Sequence, residues 1–145
     1  MKSFCWILVW FLFFDYHFTV GQKQKIHSEA VPKPIGPYSQ GIYSEPWIFL
    51  SGQIGMDAQG RMDTSIQQQT VQVLENIKNL LQSAGTDLRS VVKVTIYLKD
   101  LSDFGKVNEI YGRYFEEPYP ARETVEVSRL PKNAKIEISV IARKN

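Results

Sequence analysis

Ile66, Thr70, Leu74, Ile77, Leu81 and Ala84 recur at spacings of 4, 4, 3, 4 and 3. Residues three and four apart share one face of an α-helix. The stretch therefore predicts a long amphipathic helix that must lay its apolar stripe on something. Asp63, Thr64 and Ser65 are good N-cap types ahead of it, and Gly85 suits the left-handed position that closes it. The period then changes. From Val91 to Leu98 the chain alternates, with Val92, Val94, Ile96 and Leu98 on one side and Lys93, Thr95 and Tyr97 on the other. A one-faced helix followed by a one-faced strand points to helices laid on a sheet.

The remaining segments fit that plan. Gln22 to Pro37 reads as an extended lead-in, because Pro32, Pro34 and Pro37 each turn the preceding residue away from helix. In "QGIYSEPWIFLSGQIG", Ile42 and Tyr43 end one strand, Ser44-Glu45-Pro46 turns, and Trp47 to Leu50 begins the next. Ser102 can cap a second helix, striped by Phe104, Val107, Tyr111 and Tyr114 and ended by "EEPYP". Arg122 to Ser128 and Lys135 to Ala142 read as strands joined by "LPKNA". The predicted order is β-β-α-β-α-β-β, an α+β layer with two helices packed on one face of a mixed sheet. The other face is expected to carry Lys93, Thr95, Tyr97, Thr124, Glu126, Glu137 and Ser139. Tyr97 and Ile141 on that face suggest burial against another subunit.

Several chemistries are excluded by what the domain lacks. The one cysteine, Cys5, and the two histidines, His17 and His27, all precede its predicted strands and helices. A thiolate nucleophile, a disulfide, a histidine triad and a Cys- or His-ligated metal are therefore ruled out inside it. Proton transfer must come from carboxylates, lysine, tyrosine or water. From Ser28 to Ala142 there are 12 Lys and Arg against 14 Asp and Glu, a net of −2, so the folded part is a poor match to a phosphate backbone.

"MKSFCWILVWFLFF" has a lysine and then an uncharged apolar run from Phe4 to Phe14. That is the proportion of a secretory signal peptide and short for a membrane span. Residues 1–21 are expected to be removed before Gln22, leaving residues 22–145 as one domain in the secretory pathway or an organelle reached through it. An uncleaved anchor stays open, as does a cytoplasmic or mitochondrial protein without a working signal.

Five ordered blocks carry a resemblance. They are "GPYSQG" at 36–41, "SGQIG" at 51–55, "ENIKNLLQSAG" at 75–85, "VVKVTIYLKDLSDFGKVNEIYGRYF" at 91–115 and "PARETVEVSRLPKNAKIEISVIA" at 120–142. Together they resemble the RidA-like (YjgF) family of reactive-intermediate deaminases over roughly residues 27–143. The resemblance implies a chorismate-mutase-like α+β fold and a homotrimer with sites in the clefts between subunits. It also implies hydrolysis of 2-imino and 2-enamino acids to 2-oxo acids and ammonia, with neither metal nor organic cofactor. Some family members are described as ribonucleases or chaperone-like proteins. A single-stranded RNA endoribonuclease and a non-catalytic binder of small carboxylates are therefore the alternatives.

Arg122 can hold a carboxylate through two parallel hydrogen bonds, and the resemblance gives it that task on the imino acid. The residue alone would better suit an interface salt bridge to a glutamate, and it is the family blocks that favour the ligand role. Glu137 alternates with Ser139 away from the apolar face. The resemblance associates it with water activation, although Glu126 has similar periodicity. Tyr38 is implied as a pocket wall from a neighbouring subunit. Ser51 and Gly52 end a strand where bare backbone admits a ligand. Asn108 is placed to support a loop or touch substrate. Thr124 stands where many relatives carry cysteine, and its hydroxyl and backbone N–H are candidates for the carboxylate.

Overall fold

A computed structural model describes residues 22–144. In chain order they form β1 (Gln24–Ile26), β2 (Gly41–Ser44), β3 (Trp47–Ile54), α1 (Ile66–Ser83), β4 (Val91–Leu98), α2 (Phe104–Tyr111), β5 (Ala121–Glu126) and β6 (Ile136–Arg143). The six strands make one sheet in the order β1-β2-β3-β6-β4-β5. Every neighbouring pair is antiparallel except β4 with β5, which is parallel. The sheet is thus mixed, and the two helices pack on it as expected. The apolar N-terminal segment read as a signal lies outside the described residues.

Helix α1 starts where Ser65 Oγ accepts a hydrogen bond from the Gln68 amide at 3.0 Å, a cap worth about 1 kcal/mol. It stops at Gly85, whose φ of +77° suits glycine. There the Thr86 amide reaches back to the Leu81 carbonyl at 3.0 Å. The buried stripe is wider than the sequence spacing shows, because Val73 and Leu80 join Leu74, Ile77 and Leu81. These side chains share one cluster with Ile48, Val94, Ile96, Leu98, Ile136 and Ile138 of the sheet. Each fully buried leucine or isoleucine contributes about 1.5–3 kcal/mol of transfer free energy.

Four sequence expectations are corrected. The lead-in contains a short strand, β1, which pairs with β2 and which a length of only three residues, one of them Lys25, conceals. Asp100, rather than Ser102, provides the cap before α2: its carboxylate accepts from the Ser102 amide at 2.8 Å. A register shift in β4 between Val91 and Lys93 puts Val91 in the core and leaves Val92 at 42% exposure. The fourth concerns β5, which ends at Glu126. Arg122 pairs with Val94 and Thr124 with Ile96, both core residues, so Arg122, Thr124 and Glu126 take the helix side of the sheet. Glu123 and Val125 take the other. Alternation fixes which residues share a side within a strand, and only register with the neighbour decides which side that is.

Candidate active site

Two pockets in different places hold all the predicted site residues except Thr124. One is built around Glu137. Its position on β6 is opposite Tyr97 of β4 and Ile54 of β3, on the face away from the helices. Across the register shift in β3, Gly52 lies beneath it. A Cβ placed on Gly52 would fall 1.9 Å from Glu137 Oε1, so the carboxylate rests directly on bare backbone. No donor among the described residues reaches it, and burial alone pushes its pKa above the ordinary carboxylate range. Tyr38, Ser51, Ile35, Ile54 and Met56 help to line the same cavity of about 310 Å³.

The surroundings of this pocket are tied down by buried amides. Gln40 is 2% exposed. Its side chain accepts from the Ser28 amide at 2.8 Å and donates to the Ser28 and Pro32 carbonyls at 3.1 and 3.0 Å, fastening the lead-in beside Tyr38. Ser51 Oγ donates to the Ser39 carbonyl at 2.7 Å. From α1, Asn76 donates to the Ile54 and Met56 carbonyls at 3.2 and 2.9 Å. Gln69 accepts from the Lys135 amide at 2.8 Å, two residues before Glu137. Sequence reasoning missed Gln40, Gln69 and Asn76. The available signal was polar residues at or beside positions otherwise reserved for the core.

The second pocket, of about 440 Å³, is built around Arg122 with Asn108, Tyr111, Gly112, Tyr119 and Pro120. Asn108 and Arg122 therefore do come together, brought by α2 and β5. No carboxylate among the described residues pairs with Arg122. Its guanidinium carbon instead lies 4.6 Å from the centre of the Tyr111 ring and 5.7 Å from that of Phe104. The Tyr111 hydroxyl and the Thr124 Oγ1 are both buried without a partner among the described residues. Burial raises the Tyr111 pKa to about 12, against a smaller lowering by the Arg122 charge. Glu126 separates cleanly from Glu137, because it accepts the Leu101 amide at 2.8 Å and so ties down the turn before α2.

The predicted residues thus fall into two groups, Tyr38, Ser51, Gly52 and Glu137 in one and Asn108 and Arg122 in the other, with Thr124 outside both pockets but on the same side of β5 as Arg122. Arg122 is level with Val94 on the helix side, while Glu137 is level with Tyr97 on the opposite side. One small ligand cannot touch both within one chain. What each group offers is complementary: an unpaired cation with flat, forked donors, and an unpaired carboxylate set to move a proton.

A family model described as Endoribonuclease L-PSP matches residues 28–144. A RutC family protein of Pyrococcus horikoshii is 53% identical over 124 residues, covering 84% of this chain and 98% of its own. The Arabidopsis thaliana protein named Reactive Intermediate Deaminase A, chloroplastic, is 48% identical over 123 residues, covering 83% of this chain and 66% of the plant protein. Among solved structures, E. coli TdcF with bound serine is similar with a TM-score of 0.81 at 38% identity, covering 84% of this chain and 99% of that one.

Proposed function

The chain belongs to the RidA (YjgF) family, and on that footing we propose that it hydrolyses 2-imino and 2-enamino acids to 2-oxo acids and ammonia, at a site completed by a second copy of itself. The observation that carries this reading is the placement of a guanidinium and a half-buried carboxylate, each unpaired among the described residues, on opposite faces of one sheet. In a homotrimer, the assembly expected from the resemblance, the Arg122 edge of one subunit meets the Glu137 face of the next. The face away from the helices suits such a contact. Phe49 and Val125 are each 44% exposed on it, and Ile141 and Tyr97 are their partners across the strands.

The chemistry follows from the groups. Arg122 holds the substrate carboxylate by two charge-assisted hydrogen bonds, fixing the adjacent C=N. Glu137, on the other wall, takes a proton from water as the water oxygen adds to the imine carbon. It passes that proton to the imine nitrogen, giving a carbinolamine, then takes the carbinolamine hydroxyl proton and hands it to the nitrogen as the C=O forms, the C–N bond breaks and ammonia leaves. A carboxyl held above its ordinary pKa is a stronger base than a solvated one. Two relatives support the substrate class. The plant protein's name is that of a reactive-intermediate deaminase, and the bacterial structure holds serine, which likewise carries a carboxylate next to a carbon–nitrogen bond.

The test is a coupled reaction in which threonine dehydratase supplies the unstable imine. Adding the protein is expected to speed 2-oxobutanoate formation beyond the spontaneous rate. An unchanged rate at saturating protein contradicts the reading.

A further inference from the structure

Arg122 rests on a column of aromatic rings. Its guanidinium lies over Tyr111, and the Tyr111 ring stacks on Phe115 at a centroid separation of 4.4 Å and an interplanar angle of 26°. Tyr111 and Phe115 are 5% and 3% exposed, so the column is rooted in the core. Phe104, at 5.7 Å, adds a second ring beside the guanidinium. No carboxylate among the described residues orients Arg122. The role that an acidic partner often plays for a functional arginine falls here to the face of a ring. A ring holds a guanidinium by its flat side without engaging the N–H groups along its edge, and leaves the whole fork for a ligand.

We infer that Tyr111 is a positioning residue: its ring, backed by Phe115, holds the Arg122 guanidinium in place so that the fork stays free for the substrate carboxylate. The inference rests on the deaminase reading for the identity of the ligand, and on geometry for the rest. The Tyr111 hydroxyl takes no part. It is buried and has no hydrogen-bond partner among the described residues. The ring therefore acts through Arg122, and it acts equally on bound substrate and transition state, because the carboxylate is held in both.

The test compares Tyr111→Leu with Tyr111→Phe, reading KM and kcat in the dehydratase-coupled assay and the Kd for 2-oxobutanoate by calorimetry. Loss of the ring in Tyr111→Leu is expected to raise KM and Kd roughly tenfold while leaving kcat within about a factor of two. Tyr111→Phe keeps the ring and is expected to keep both constants near wild type, with a melting temperature no lower. A role confined to packing would lower the melting temperature and the apparent kcat of Tyr111→Leu with KM unchanged, and that outcome overturns the inference. So does a Tyr111→Phe protein as weak as Tyr111→Leu, which would make the hydroxyl the active part. If the wild-type protein binds 2-oxobutanoate but does not speed its formation, the deaminase reading fails, and the Kd series still decides for or against Tyr111. If the wild type does not bind 2-oxobutanoate, both fall.

Discussion

Arg122→Lys is expected to lose binding of 2-oxobutanoate and imine turnover together. The substitution keeps the charge, so the expectation depends on shape. A lysine ammonium is a point charge with no planar fork, and it cannot satisfy both carboxylate oxygens while lying flat on the Tyr111 ring. In a closed cleft, losing one partner of a hydrogen-bonded charge pair costs about 2–5 kcal/mol, which takes a modest affinity for a small acid beyond detection. The fold should survive, because Arg122 lies at the edge of the sheet and makes no ion pair among the described residues. Calorimetric titration shows the loss of binding, and an unchanged melting temperature shows that the loss is local. A lysine variant that binds the product normally would mean that the carboxylate is held elsewhere.

Glu137→Gln is expected to separate what Arg122→Lys abolishes together. Glutamine keeps the size of the side chain over Gly52 but cannot accept the proton from water. Product binding should persist, while kcat falls by about 10²–10⁴-fold, the usual weight of a positioned general base. The pH dependence gives a second reading. Burial raises the Glu137 pKa in the folded state, so the charged form is the one that folding disfavours. The wild type should lose turnover as pH falls through that raised pKa, at higher pH than an exposed carboxylate would give. Stability runs the opposite way. The folded state is favoured below the ordinary carboxylate pKa of about 4.3, and that advantage is lost as pH rises through the folded value. Glu137→Gln should therefore be the more stable protein near neutrality, with the difference vanishing in acid. Thermal melts across pH check this.

Most of the layer was legible in the sequence because its signals are local. The stripe from Ile66 to Leu81 gave α1, and Ser65 and Gly85 marked its ends. The parts that were not legible depend on partners distant in sequence. Arg122, Thr124 and Glu126 form one alternating set, but the parallel register with β4, reached through the long connection over α2, turns that set toward the helices. From sequence it looked continuous with Glu137 and Ser139. Glu126 and Glu137 are equivalent by periodicity and differ only in what surrounds them, the Leu101 amide for one and the Gly52 backbone for the other. The site residues themselves came from the family blocks. The aromatic column under Arg122 did not, because Phe104 and Tyr111 at helical spacing read as ordinary core.

Subunit mixing tests the shared site most directly. Arg122→Lys and Glu137→Gln subunits, each nearly inactive alone, are combined in equal amounts under conditions where native mass spectrometry shows mixed trimers. If each site takes Arg122 from one subunit and Glu137 from the next, chance assembly leaves both intact in about a quarter of the sites, so about a quarter of wild-type activity should return. Mixed trimers whose activity stays at the average of the two parent variants would contradict a site built between two chains.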